Sequence, residues 1–133
     1  MSVGVGIDLV RVSRVAASLA QFGERFLRRV FTEAEIAYAT SSPGLTAERL
    51  AARFAAKEAA IKALGLADQG VGWRQIEVQR LPSGSCRLVL HGAAHAAAAD
   101  AGVSELAVSL SHEGDYATAV VLATRHGRET THA

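Results

Sequence analysis

A dense apolar stretch near the middle of the chain, RFAAKEAAIKALG at residues 53–65, carries four charged side chains. Glu58 and Lys62 stand four residues apart, so they share one face if the stretch is helical. As a surface ion pair they would contribute only about 0.3–0.5 kcal/mol. The flanking apolar residues leave no broad solvated face, so these charges need partners. A phosphorylated ligand with a metal ion would supply them.

Asp8 is a further charged residue in an unexpected position, because it lies in a predicted strand and aspartate is depleted in strands. The simplest alternative is a turn-forming residue at the strand end. If Asp8 instead lies near Glu58, the two carboxylates could hold one Mg²⁺. Magnesium commonly takes one or two protein carboxylates and completes its octahedron with waters and phosphate oxygens. The two residues together therefore suggest metal-assisted phosphate chemistry.

The segment SLSHEGDY adds hydroxyls and a histidine near a predicted turn. Ser109 and Ser111 lie on the face opposite the leucines of their strand, where hydroxyls and nearby amides could bind phosphate. A lone histidine such as His112 is more often a structural hydrogen-bonding residue. No cysteine and histidine set has a zinc-ligand spacing, and the chain has no Walker loop, Rossmann glycine fingerprint or nucleophile elbow.

The first strand must position Asp8. Val3, Val5, Ile7 and Leu9 alternate with smaller or polar residues, which predicts a strand with one strongly apolar face. Asp8 shares the other face with two glycines. Glycine beside a carboxylate leaves room for a ligand or another backbone to approach.

The remaining elements follow helical and strand periodicities that end at clear stop signals. Thr32 and Glu35 have the spacing of a capping box, and Gly65 is placed to end a long helix. The order of elements predicts an α+β fold in which a mostly antiparallel sheet packs against the long helix. The predicted helices cover about 12–22, 32–41, 46–64 and 93–102, and the predicted hairpins cover 73–91 and 105–123.

The length of 133 residues fits one domain, which we place at residues 1–123, followed by a polar, flexible tail at 124–133. Cys86 is the only cysteine, which excludes an internal disulfide and fits a reducing compartment. No stretch reaches the ~18 apolar residues of a membrane helix, and no signal-peptide pattern is present. We therefore expect a cytoplasmic protein without a membrane partner.

Charge is distributed unevenly along the chain. The net charge of +1 gives no electrostatic argument for nucleic-acid binding. Residues 10–31, however, contain five arginines against the single Glu24. This local excess predicts a docking surface for an acidic partner.

Five stretches, in this order, resemble the holo-(acyl-carrier-protein) synthase family of 4′-phosphopantetheinyl transferases. They are GVGIDLV followed by Arg14, then RRVFTEAE, LAARFAAKEAAIKALG, WRQIEV and SLSHEGDYATAVV. The resemblance covers nearly all of residues 4–123, and the combination of an acidic strand motif with a K-E-A helix motif is specific. One departure is GLADQGVG at Gly65–Gly72, where the family usually has a short turn with glycine and threonine. Contacts made by that loop cannot be transferred.

The resemblance implies a homotrimer of α+β protomers with three active sites between neighbouring subunits. Each site would transfer the 4′-phosphopantetheine group of coenzyme A to a serine of an apo acyl carrier protein and release 3′,5′-ADP. Asp8 and Glu58 look like the Mg²⁺ ligands, and Lys62 is similar to the lysine that contacts the pyrophosphate. Glu58 is the first candidate for the general base and Glu113 the second.

Further residues are assigned by their match to family positions. Lys57 receives no definite role, and one alternative is that it faces a subunit interface. The coenzyme A site would be lined by Arg53, Lys62, Gly65, Ser109, Ser111 and His112, and the carrier protein would dock on Arg14, Arg25, Arg28 and Arg29.

Two alternatives compete with the enzyme interpretation. The first is a catalytically inactive trimeric protein that only binds coenzyme A or another anion, against which the joint presence of Asp8, Glu58 and Lys62 argues. The second is an unrelated α+β domain whose basic N-terminal region binds an anionic polymer. The nearly neutral total charge disfavours that one.

Overall fold

The computed structural model describes residues 1–126 and contains five helices and five strands in that range, besides two short 3₁₀ turns. In chain order the elements are β1 (Ser2–Arg11), α1 (Val12–Phe22), α2 (Glu24–Val30), α3 (Glu33–Thr40), α4 (Thr46–Leu64), β2 (Ile76–Arg80), β3 (Cys86–Leu90), α5 (Gly92–Asp100), β4 (Val103–Glu113) and β5 (Tyr116–Arg125).

The strands form two antiparallel units. One is a three-stranded sheet in the order β1-β5-β4, and the other is the β2-β3 hairpin. The predicted α+β class and the antiparallel pairing are therefore confirmed. The sequence did not indicate that the strands divide into two separately hydrogen-bonded units.

Helix α4 lies against the inner face of the three-stranded sheet and forms the centre of the core. It begins and ends where predicted, and Gly65 closes it in the left-handed conformation, with φ of 66°. A Cβ atom added at Gly6 of β1 would overlap the carbonyl oxygen of Ala59, and one added at Gly4 would overlap that of Ala63. The glycine face of β1 thus admits another backbone, as the sequence predicted, and that backbone is α4.

The capping box that opens α3 is also confirmed. The Thr32 hydroxyl accepts a hydrogen bond from the Glu35 amide, and the Glu35 carboxylate accepts one from the Thr32 amide at 2.8 Å. The preceding helix, α2, was not predicted. Its signals were Gly23, which has φ of 53°, and the apolar residues Leu27 and Val30, whose side chains are buried.

The last strand runs two residues beyond the predicted end of the domain at residue 123. Thr124 pairs with Val3 and Arg125 pairs with Ser2, so the first two residues of the predicted tail belong to the sheet. The remainder of that tail, residues 127–133, lies outside the described residues. Within residues 1–126, no helix combines the length and the apolarity that a membrane crossing requires.

The other face of the three-stranded sheet is apolar and uncovered. Val3, Val5, Ile7 and Leu9 of β1, which alternate along the strand, are 55–64% exposed. Across the ladder, Val5 lies opposite Leu122 and Ile7 lies opposite Val120 of β5. We call this surface, with Val3 and Leu9, the open sheet face.

Candidate active site

The structure brings Asp8, Glu58 and Lys62 together where β1 meets α4. The Lys62 Nζ atom donates to Oδ1 of Asp8 at 3.1 Å and to the carbonyl oxygen of Ile7 at 3.0 Å. Burial raises the pKa of Glu58, the negative charge of Asp8 raises it further, and Lys62 opposes the shift. The two carboxylates are thus close enough to repel one another.

Local packing explains why these three residues meet. At position 6 only glycine avoids an overlap with the carbonyl oxygen of Ala59. Gly6 therefore allows β1 to approach α4 closely beside Ala59, the residue that follows Glu58. Along α4, Phe54, Glu58 and Lys62 form a row at four-residue spacing whose side chains are not fully buried, whereas Arg53 is buried on another side. Glu58 and Lys62 therefore lie on the side of α4 that faces Asp8, and not on the side that packs in the core.

A cleft of about 760 Å³ contains both carboxylates. Its size lies within the range of small-molecule sites. Helix α1 contributes one wall of the cleft, and Phe54 and Tyr116 add aromatic surface that sequence reasoning missed. The lining residues are Asp8, Leu9, Val10, Arg11, Arg14, Val15, Ser18, Phe26, Phe54, Glu58 and Tyr116.

A second hollow of about 390 Å³ holds three more of the predicted residues, Ser111, His112 and Glu113. Leu9 and Tyr116 line both hollows, so the two are adjacent. The Nδ1 atom of His112 lies 3.0 Å from a carboxylate oxygen of Glu48 on α4. Glu48 was missed as its partner because the two residues are distant in sequence.

Four predicted coenzyme A residues, Arg53, Lys62, Gly65 and Ser109, line neither of these two hollows, although Lys62 contacts Asp8. Arg53 is 4% exposed, and its guanidinium lies over the Tyr38 ring at 4.4 Å. Burial lowers its pKa, and its Nε atom has no hydrogen-bond partner in the described residues. Ser109 is on the open sheet face opposite Val120, and Gly65 only ends α4. Their assignment to the ligand site stays a prediction.

The arginines predicted to dock a partner divide into two groups. Arg14 lines the main cleft, and Arg25 and Arg29 line a neighbouring hollow of about 300 Å³ with Phe22 and Phe26. Arg28 instead forms exposed ion pairs with two carboxylates, at 2.9 Å and 3.4 Å. Its charge is therefore partly neutralised within the chain.

The donor set fits a lightly held magnesium ion. The described residues contain no group of three or more aspartates, glutamates, histidines or cysteines that could hold a metal ion. Asp8 and Glu58 remain as a pair of neighbouring carboxylates, which matches the preference of Mg²⁺ for one or two protein carboxylates with the remaining positions left to water and phosphate.

Lys57 belongs to the core and not to the cleft. Its ammonium group is fully buried and donates 2.8 Å to the carboxylate of Glu35 and 3.1 Å to the carbonyl oxygen of Trp73. Burial lowers the pKa of Lys57, and the charge of Glu35 opposes that effect. The alternative that Lys57 faces a subunit interface is wrong for this conformation, because its partners all lie within the chain.

Comparison with known proteins gives the same result as the motifs. A family model described as the 4′-phosphopantetheinyl transferase superfamily matches residues 4–121, most of the chain. The chain belongs to this superfamily. It is 47% identical over 123 residues to the holo-[acyl-carrier-protein] synthase of Koribacter versatilis, a match that covers 92% of this chain and 98% of that protein.

Solved structures of the superfamily share the fold. The ACPS–CoA complex of Chronobacterium ammoniagenes superimposes with a TM-score of 0.84 at 37% identity, over 96% of this chain and all of that one. The holo-[acyl-carrier-protein] synthase of Neisseria meningitidis gives a TM-score of 0.84 at 32% identity, over 92% of this chain and 98% of that one. The enzyme of Helicobacter pylori, in complex with coenzyme A, gives 0.79 at 26% identity, over 90% and 99%.

Proposed function

We propose that the chain is a holo-[acyl-carrier-protein] synthase, which transfers 4′-phosphopantetheine from coenzyme A to a serine hydroxyl of an apo acyl carrier protein. The observation that carries the proposal is that Asp8 and Glu58 line one cleft of a superfamily member, with the Lys62 ammonium bonded to Asp8. Holo-[acyl-carrier-protein] synthases are its relatives over nearly the full chain, and similar structures contain coenzyme A. The transferase domain would comprise residues 1–123, extended to Arg125 by the last strand.

In the transfer, the serine oxygen forms a bond to the pantetheine-side phosphorus of coenzyme A, and the bond from that phosphorus to the bridging oxygen breaks. The bridging oxygen leaves with 3′,5′-ADP, and the serine proton passes to a carboxylate. Asp8 and Glu58 would hold Mg²⁺. When bound, the ion would neutralise charge that develops on the phosphate oxygens. Lys62 would add its positive charge at the same oxygens.

Two carboxylates remain candidates for the general base. The raised pKa of Glu58 favours proton acceptance there. Glu113 lines the adjacent hollow together with Tyr116.

A homotrimer would cover the open sheet face. Exposed apolar patches of this kind mark association surfaces, and the face is continuous across β1 and β5. The trimer also gives Arg53 a role. Because Arg53 lies outside the cleft of its own chain and is 4% exposed, a contact with a coenzyme A phosphate would require ligand held by a neighbouring subunit and a movement of the Arg53 side chain away from the Tyr38 ring. Ser109 lies on the open sheet face, so it would likewise contact only ligand that is held by a neighbouring subunit.

The carrier protein would dock on the surface formed by α1 and α2. Arg14 lines the cleft itself, and the neighbouring hollow is lined by both phenylalanines and arginines, namely Phe22, Phe26, Arg25 and Arg29. Such a surface fits an acidic helix that carries an apolar side chain, and the attraction should weaken with salt. A cytoplasmic location, expected from the sequence, stays a prediction.

The proposal is tested by mass spectrometry of carrier proteins. Incubation of the purified protein with coenzyme A, Mg²⁺ and a panel of apo carrier proteins should add one phosphopantetheine to a serine of at least one of them. EDTA should stop the reaction, and excess Mg²⁺ should restore it. Binding of coenzyme A without transfer to any member of the panel would favour the inactive binding protein instead.

A further inference from the structure

Helix α1 begins without a capping side chain of its own. The residue at its N-cap position, Arg11, makes no side-chain cap hydrogen bond. The first amides of the helix are instead bonded by Asp115, about one hundred residues away. The Val12 amide donates to the Asp115 carbonyl oxygen at 2.8 Å, and the Ser13 amide donates to the Asp115 carboxylate at 2.8 Å. The Ser13 hydroxyl donates to the second carboxylate oxygen at 2.5 Å.

The arrangement is favourable on two counts. Each bond satisfies a polar group at a helix start that the helix itself leaves free. The negative charge of Asp115 also complements the positive end of the helix dipole. Together the three bonds hold the first turn of α1 against the turn between β4 and β5.

Both partners of this contact are next to cleft residues. Asp115 lies between Glu113, which lines the smaller hollow, and Tyr116, which lines both. Ser13 is followed directly by Arg14, which lines the main cleft. The bonds from Asp115 therefore fix the helical turn from which Arg14 projects.

We propose that Asp115 is a positioning residue that holds Arg14 in place for the carrier protein. The inference rests on the proposed function for its substrate. Its structural half, that the Asp115 carboxylate holds the first turn of α1, does not depend on catalysis. The two halves are therefore tested by separate measurements.

Hydrogen exchange of the full protein tests the structural half. In Asp115→Ala, amides in a peptide covering residues 10–20 should exchange about fivefold faster, the effect expected from the loss of one helix cap. Exchange in α4 should stay as in the wild type. Asp115→Asn keeps one side-chain acceptor and should be intermediate, and Asp100→Ala at the end of α5 serves as the control. Unchanged exchange in α1, or equal acceleration in α4, would overturn the proposal.

Steady-state kinetics test the functional half. Asp115→Ala should raise KM for the carrier protein about fivefold and change KM for coenzyme A less than twofold. In an Arg14→Ala background, the same substitution should have no further effect on KM for the carrier protein, because the side chain that Asp115 positions is already missing. An equal increase in both backgrounds would overturn the positioning role. If the wild type itself transfers nothing to any carrier protein, the proposed function fails, and the exchange result still decides the contact.

Discussion

The Nζ atom of Lys57 lies 2.8 Å from Oε1 of Glu35, and both side chains are fully excluded from solvent. The same carboxylate accepts a hydrogen bond from the Val78 amide at 2.8 Å, and the lysine donates to the carbonyl oxygens of Trp73 and Ile76. One buried pair thus joins α3, α4 and β2. Its consequence for function is indirect: it fixes the rotation of α4, which carries Glu58 in the next position.

Replacement of Lys57 should show how much the free energy of unfolding depends on pairing of the buried Glu35 carboxylate. Lys57→Met leaves the Glu35 carboxylate buried and unpaired, so we expect a loss of about 3–5 kcal/mol in the free energy of unfolding, measured with urea. Addition of Glu35→Gln removes that charge and keeps an acceptor for the backbone amides, so the double variant should recover part of the loss. Arg28→Ala, at an exposed ion pair, should cost less than about 1 kcal/mol. A Lys57→Met variant as stable as Arg28→Ala would contradict the structural role.

Gly6 sets the approach of β1 to α4. A methyl group at Gly6 would overlap the Ala59 carbonyl oxygen, which is backbone and cannot move aside freely. We therefore expect Gly6→Ala to destabilise the protein by about 1–3 kcal/mol or more, and to lower transfer activity because Asp8 and Glu58 move apart. The matched control is Gly44→Ala, where a methyl group meets no atom within 4 Å. Equal stability of the two variants in thermal unfolding would contradict the close packing.

The local pattern of the sequence was enough to find the cleft residues but not their surroundings. Alternation in β1 and four-residue spacing in α4 give the faces of Asp8 and Glu58, because these periods depend on neighbouring residues only. The partner of Lys57 could not be found in this way, because Glu35 is 22 residues away and its contact depends on tertiary packing.

Periodicity also could not tell which face of β1 would be covered. The apolar side chains suggest an inner face, yet the chain places α4 on the glycine side and leaves Val5 and Ile7 exposed. The close approach of the helix backbone requires small residues, so the glycine side is the only one that α4 can reach at this distance. The apolar side is then left exposed in the single chain.

The hydrogen bond between His91 and Glu77 should make stability depend on pH. Burial alone would raise the pKa of Glu77, but hydrogen bonds from His91 at 2.8 Å, Thr32 and Gln79 outweigh it and lower that pKa below its ordinary 4.5. The unfolded chain therefore binds a proton at higher pH than the folded protein. The resulting stability is present above pH 4.5 and is lost as the pH falls through the lowered pKa.

His91→Ala removes the largest of the interactions that lower the pKa of Glu77. Because His91 is half exposed, we expect it to cost only about 1 kcal/mol in the free energy of unfolding at pH 6–7. The difference from the wild type should shrink as the pH falls below 4.5, and urea unfolding at several pH values measures it. His95→Ala, on the exposed side of α5, is the control. A difference that stays constant down to pH 3 would argue against the linkage to Glu77.

The open sheet face should control assembly. Ile7→Lys places a charge in the middle of this face, where Ile7 is 64% exposed in the single chain, so it should cost little folding stability. In an assembly that covers the face, the same charge would be buried without a partner, so we expect the trimer to dissociate. Light scattering of the variant and the wild type at matched concentration measures the mass. Leu45→Lys, an exposed apolar residue outside the face, should leave the assembly intact. Wild-type protein that is monomeric at all concentrations would refute the assembly itself.

Lys62 forms an ion pair with Asp8, a residue that would hold Mg²⁺, so the lysine should compete with the metal ion. The ion pair is exposed enough to be weak, since the lysine side chain is 53% exposed. Lys62→Met should therefore bind Mn²⁺ about twofold to fivefold more tightly than the wild type without coenzyme A, by electron paramagnetic resonance titration. Lys62→Arg keeps the charge and should resemble the wild type, and Asp8→Asn should bind the ion much more weakly. The Lys62→Met variant should nevertheless transfer poorly, because the charge that would stabilise the phosphate oxygens is gone. Unchanged or weaker Mn²⁺ binding by Lys62→Met would show that Lys62 does not compete with the metal ion for Asp8.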